Sequence, residues 1–309
     1  MHIGTHKTGS TSLQYFFNKN RHALLDQKIL YPQTGLPLIP NLYGHHDLVF
    51  NLRSNDPKIW SDLVQEINAS DCESVIISSE EMDTLTTKQI ELIKSRLIGF
   101  NVKIIIYLRE QVDYFESLYW ELVKSGIESD DISSFILRNL NLGNYFALLS
   151  KWNSHFDADC ISIRIFSKTL NVIDDFCHLV DINKKNLSNS NEHVNVSPPR
   201  AYVDLIRKLN KFGEINNLGK CNKKLINQIL LVAKDNPERK LGLVNPALKE
   251  FLRNYFLKTN SKVTETYYQN NSGNLIFQSV GIEDFCEDWI VHDEDHMLST
   301  FYKIGQLLE

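Results

Sequence analysis

Hydrophobic residues follow two alternating patterns over the first 182 residues of this chain. Short unbroken apolar runs alternate with segments of helical period. The runs are "ESVIISSE" (73–80), "NVKIIIYLRE" (101–110) and "CISIRIF" (160–166). The first two have strand length and are rich in β-branched residues, which predicts strands covered on both faces, and the third is a further strand. "KILYPQTG" (28–35) predicts a shorter strand ending in a turn. The helical segments lie between these runs. Leu13, Phe16, Phe17 and Leu24 share one helical face, and "LTTKQIELIKSRL" (85–97) carries a Thr ahead of its apolar period. Phe115, Leu118, Tyr119, Leu122 and Val123 form another face, closed by Gly126, and 167–182 is helical around Leu170, Phe176 and Val180. The stretch 36–58 contains "YGHHD" and reads as a loop passing into a helix near His46. Strands alternating with helices predict an α/β fold with a central parallel sheet and helices on both faces.

From about residue 183 the strands stop. "KKNLSNSNEHVNVSPP" (184–199) is polar and rich in Asn and Ser, which predicts a loop or lid over 183–199. Helical periods follow at 200–212, 222–234 and 246–258. The expected organisation is an α/β core over 1–182, a mostly helical lid or acceptor-side region over 183–277 packed on it as one domain, and an acidic C-terminal extension over 278–309.

Composition narrows the function classes. The chain has 309 residues, of which 42% are hydrophobic and 23% charged, enough for an ample core. Its net charge of -5 gives no global field to recruit nucleic acid or an anionic membrane, so any anion site is local. The cysteine count is five, an odd number, and no pair has metal-ligand spacing. That predicts reduced thiols in a cytoplasmic protein. No apolar run approaches the roughly 18 residues of a membrane span. Residues 1–14 are too polar for the core of a signal peptide.

The opening "MHIGTHKTGSTSLQ" places a scrap of strand, a lysine, small residues and a helix start in succession. Unpaired N–H groups at a helix start, small residues that admit an oxyanion and a lysine together make a phosphate or sulfate cradle. The plainer reading is a helix start with small residues and nothing more. A Walker A loop is disfavoured, because its Gly directly precedes the Lys and here His6 does. No strand ends in a clear Mg²⁺-binding aspartate. Further on, "KIIIYLREQVDYFESLY" sets Arg109 at a strand's carboxyl end and Ser117 eight residues later on a helix. Ligands of open α/β sheets lie beyond those strand ends, where an Arg and a hydroxyl can grip one phosphate. Ordinary surface roles, such as an ion pair of Arg109 with Glu110 or Asp113, are the alternative.

Together the two motifs resemble the sulfotransferases that use 3′-phosphoadenosine 5′-phosphosulfate. In that family a K-[ST]-G-[ST]-[ST] loop after the first strand holds the 5′-phosphosulfate, and a strand-end Arg with a Ser eight residues on holds the 3′-phosphate. The first set matches Lys7, Thr8, Gly9, Ser10, Thr11 and Ser12, and the second matches Arg109 and Ser117. "HIGTHKTGSTSLQ" is also similar to a bacterial branch associated with cell-surface glycans. Looser shared features are "HH" near 45, "SSEE" (78–81), "DDFCHLVDI" (174–182), "NVSPPRAYVDLIRKLN" (195–210) and "NSKVTETYY" (260–268), so the likeness runs from residue 1 to about 277. The first strand is shorter than the family's, which leaves its true start open. The resemblance implies a P-loop-type three-layer fold with a helical C-terminal region and sulfuryl transfer to a glycan or small-molecule hydroxyl. It also implies no metal. Lys7 would stabilise the leaving phosphate, and His45, His46 or Glu80 would take the acceptor's proton. A kinase-like NTP-binding enzyme and a catalytically silent nucleotide-binding protein are the other readings. Acceptor identity and oligomeric state stay open.

Overall fold

A computed structural model of the chain describes residues 1–54, 56–188, 200–218, 223–235, 242–268 and Phe277. In chain order its elements are α1 (Ser10–Lys19), α2 (Arg21–Leu25), β1 (Ile29–Leu30), α3 (His46–Arg53), α4 (Lys58–Asn68), β2 (Ser74–Val75), α5 (Thr87–Arg96), β3 (Ile104–Arg109), α6 (Gln111–Lys124), α7 (Ile132–Arg138), α8 (Tyr145–Asn153), β4 (Ile161–Phe166), α9 (Val172–Leu179), α10 (Arg200–Ile215), α11 (Lys223–Asp235) and α12 (Pro246–Tyr267). The chain divides into two compact units. The first comprises 1–110, 145–194 and 259–276, and the second comprises 111–144, 195–258 and 277–309. No described helix is long and apolar enough to cross a membrane.

The first unit is α/β. Its described strands form two small parallel sheets, β1 with β2 and β3 with β4. Residues 1–5 run between these pairs and hydrogen-bond to both sides. On one side His2 N–H donates to Ile77 O at 2.8 Å, and Ser79 N–H donates to His2 O at 3.0 Å. On the other, Ile3 N–H donates to Ile105 O at 3.0 Å and Tyr107 N–H to Gly4 O at 2.7 Å. The run 73–80 is therefore shared. Its start bonds β1, while Ile77 and Ser79 bond residue 2 and Ser78 between them bonds His45. That is why β2 itself is only Ser74–Val75.

Strand β3 explains why its sequence is an unbroken apolar run. Ile105 and Tyr107 face a cluster with Leu13, Phe16 and Phe17 of α1 and Val172, Ile173 and Phe176 of α9. Ile104, Ile106 and Leu108 point to the opposite side, since side chains alternate along a strand, and are also fully buried. Both faces of the strand are thus covered, as its composition requires. Each buried Phe of α1 contributes about 1.5–3 kcal/mol relative to exposure.

Local signals set the helix ends. Thr86 accepts from Gln89 N–H while the Gln89 side chain reaches back to Thr86, a capping box that starts α5. The helix expected over 167–182 is shorter, because Asn171 Oδ1 accepts from Ile173 and Asp174 N–H and so begins α9 at Val172. After α6, Gly126 takes φ +68° and its N–H returns to Val123 O, which ends the helix as a left-handed cap does.

The second unit is helical in its described residues. Phe115 and Tyr119 of α6, Phe135 of α7, Tyr202 and Ile206 of α10, Ile229 of α11 and Phe256 of α12 share one core. Asn210 donates to Val123 O and Glu128 O, tying α10 to the end of α6. The lid expected over 183–199 is described only up to Ser188, whose N–H and C=O both bond the Asn20 side chain. The remainder of that lid, and the acidic extension 278–309, lie outside the described residues.

Candidate functional site

The loop between residue 4 and α1 is built from the inside. Gly4 has φ +100°, and a Cβ there would lie 3.1 Å from Glu80 Cα, so the loop starts pressed against the 3₁₀ turn Glu80–Thr84. The Thr8 hydroxyl donates to Thr5 O at 2.6 Å, and the Thr5 hydroxyl donates to Tyr107 O at 3.1 Å. Ser10 Oγ lies 3.5 Å from the same Thr5 carbonyl. Thr8 and Ser10 are buried, Thr11 is exposed, and Lys7, Gly9 and Ser12 are half-buried.

Gly9 is the N-cap of α1, with φ +83°, a left-handed conformation that favours glycine. A Cβ there would approach Val172 Cγ1 to 3.0 Å. Having no side chain, Gly9 cannot cap the first turn, so the amides of that turn are left for another acceptor at the positive end of the helix dipole. Lys7, also in the left-handed region with φ 64°, precedes this turn.

Arg109 ends β3 and reaches the same loop. Its Nη1 donates to Lys7 O at 3.0 Å, and its guanidinium carbon lies 5.5 Å from the centre of the Phe166 ring. The Tyr145 hydroxyl donates to Arg109 O at 2.7 Å and holds the strand end in place. The structure thus brings together Arg109 and the 7–12 loop. Ser117 belongs to the second unit, half-buried on α6.

No family model matches this chain, and no curated protein matches it. The candidate site therefore stands on its residues and their geometry.

The three residues considered as a proton acceptor have different surroundings. His45 is fully buried. Its Nδ1 accepts from Ser78 N–H at 3.1 Å, so Nε2 carries the proton and donates to Pro32 O at 3.1 Å. Burial pulls its pKa down to about 4, against the two backbone hydrogen bonds. Both ring nitrogens are thus engaged and solvent does not reach them. His45 is a neutral stitch between two segments and has no lone pair left for an acceptor.

His46 and Glu80 are placed differently. His46 Nδ1 lies 2.9 Å from Ser79 Oγ, and its ring stacks on Phe50. A Cβ on Gly44 would fall 2.7 Å from both His46 Nε2 and the Gln14 amide, so those two side chains converge there. Gln14 Nε2 donates to Glu80 Oε2 at 2.6 Å. His46, Gln14 and Glu80 therefore form one polar group beside the loop, with Glu80 its half-exposed member.

Sequence reasoning misses Gln14, Glu81 and Asp83. Gln14 is one of many polar helix positions. Glu81 and Asp83 sit in "SSEEMD", where an acidic turn after a strand is the one available signal, and both carboxylates reach His6.

Proposed function

We propose that this chain is a sulfotransferase that moves a sulfuryl group from 3′-phosphoadenosine 5′-phosphosulfate to a hydroxyl of a carbohydrate or other small acceptor. The observation that carries this reading is the hydrogen bond from Arg109 to Lys7 O, which sets a strand-end arginine against a lysine loop opening on an uncapped helix. The lateral order β1, β2, residues 1–5, β3, β4, with the loop directly after the middle segment, supports a P-loop-type layered core. It puts the loop at the carboxyl ends of parallel strands, where α/β folds bind ligands.

In the proposed reaction the acceptor oxygen attacks sulfur in line. A new O–S bond forms as the bond from sulfur to the bridging phosphate oxygen breaks. The bridging oxygen leaves with the nucleotide, carrying the electron pair. Lys7 and the first amides of α1 meet the growing negative charge there, which accelerates the step because the interaction strengthens as the bond breaks. The acceptor's proton passes to Glu80, which Gln14 orients, with His46 completing the group. Positioning and charge stabilisation carry such transfers more than covalent chemistry does.

The test uses the purified full chain. Calorimetric titration with 3′-phosphoadenosine 5′-phosphate should show saturable binding, and the sulfated nucleotide with a panel of sugars should yield sulfated product. Binding without transfer to any acceptor would make the chain a silent nucleotide binder. Tighter binding and hydrolysis of ATP with Mg²⁺ would favour the kinase-like reading.

A further inference from the structure

The half-buried His6 is held from three directions by one short acidic turn. Asp83 Oδ2 accepts from both its backbone N–H, at 3.2 Å, and its ring Nδ1, at 2.9 Å. Its Nε2 lies 3.5 Å from Glu81 Oε1. Glu81 is in turn paired with Arg53 at 2.7 Å. The same turn carries Glu80, whose side chain is bound by Gln14 and whose backbone Gly4 presses against. Asp83 and Glu81 therefore grip the loop at His6, the residue immediately before Lys7, while the Glu80 carboxylate holds Gln14 of α1.

We propose that His6 is a positioning residue for Lys7, clamped by Asp83 and Glu81 so that the loop is fixed before any ligand arrives. This rests on the reading of Lys7 as the group that meets the leaving phosphate. Both ring nitrogens face carboxylates, so the clamped form is the imidazolium, a donor at each nitrogen. Burial opposes that charge, but the hydrogen bonds to Asp83 and Glu81, with the charges of Asp83 and Glu80, raise the pKa to about 10. Glu81 is correspondingly held down at about 2, first by His6 and also by Arg53. The other charged neighbours are Lys7 itself and Lys151, whose Nζ lies 3.5 Å from Asp83 O. A neutral His6 donates from only one nitrogen and releases one side of the clamp.

His6→Gln identifies the His6 ring signal in the proton spectrum of the full chain. In the wild-type protein that signal should stay in its protonated position through neutral pH and titrate only in alkali. A midpoint near 6.5, the ordinary histidine value, would overturn the clamp. Asp83→Asn should then lower affinity for 3′-phosphoadenosine 5′-phosphate about tenfold at pH 7 and move the alkaline loss of binding to lower pH. Unchanged affinity with an unchanged pH profile would overturn the positioning role. If Asp83→Asn does not fold, Glu81→Gln is read the same way, with a smaller loss expected. Amide exchange at Lys7–Gly9 should be faster in His6→Gln, and equal exchange would also count against the proposal. A wild-type chain that keeps His6 protonated yet binds no nucleotide would sink the sulfotransferase reading and leave the clamp intact.

Discussion

Arg109 and Lys7 are 102 residues apart in sequence, and the guanidinium of one donates to the main-chain carbonyl of the other at 3.0 Å. A charged donor on a backbone carbonyl ties the end of β3 to the loop before α1. It also sets a guanidinium beside the backbone of the loop that carries Lys7.

Replacing Arg109 should therefore have two effects. Arg109→Ala should lower folding stability by about 1 kcal/mol, since the site is half-exposed, and weaken the nucleotide by about tenfold or more. Arg109→Lys keeps the charge but loses the planar fork, and should recover only part of the affinity. Urea melts and calorimetric titrations measure both. Unaltered nucleotide affinity in Arg109→Ala would remove this residue from the site.

Gly9→Ala should destabilise the chain by about 1–2 kcal/mol, the cost of a left-handed non-glycine residue. The close approach of Val172 adds to that penalty. The thermal midpoint measures it. A midpoint equal to wild type would show that the start of α1 relaxes without strain.

Glu80 and His46 separate by kinetics. Glu80→Gln keeps a carbonyl oxygen for Gln14 but cannot accept a proton. Turnover should fall about 10²–10⁴-fold with nucleotide affinity retained, the usual weight of a general base. His46→Gln should cost less. The reverse ranking would move the base to His46. Lys7→Ala should lower turnover more than it weakens the nucleotide, because its charge matters most as the bond breaks.

Stability should fall in acid through two buried neutral histidines. Burial lowers the pKa of His45 to about 4 and that of His2 to about 3. The unfolded chain titrates near 6.5, so it binds protons first, and the stabilisation is lost as pH falls from about 6.5 through these values. For His45 the full effect is on the order of 3 kcal/mol. His45→Gln can still accept from Ser78 and donate to Pro32. It should flatten the pH dependence of unfolding between pH 6.5 and 4, and an unchanged slope would assign the acid loss elsewhere.

Much of the fold is legible where one local rule decides it. β3 is readable because a strand covered on both faces must be apolar throughout, and β4 because Ile161, Ile163 and Ile165 alternate with Ser162 and Arg164. α5 is readable because Thr86 and Gln89 spell its cap. α7 and α8 are not, since "ISSFILR" and "YFALLSKWN" are short and their apolar residues do not keep one clean face. The site divides in the same way. Gly9 is legible because the left-handed conformation at the start of α1 favours glycine. His45 and His46 look alike in sequence, yet one is stitched to Pro32 and Ser78 while the other leans on Ser79. The partners of His6 are invisible in sequence because Asp83 is 77 residues away.

The bond from the Thr8 hydroxyl to Thr5 O gives the loop a shape of its own. A cradle that is already folded does not have to be ordered by its guest, so little conformational entropy is surrendered on docking. Association should then proceed in a single kinetic phase whose rate rises linearly with nucleotide concentration. Thr8→Val, which fills the same space without the hydroxyl, would introduce a slow rearrangement after encounter, visible as a rate that levels off.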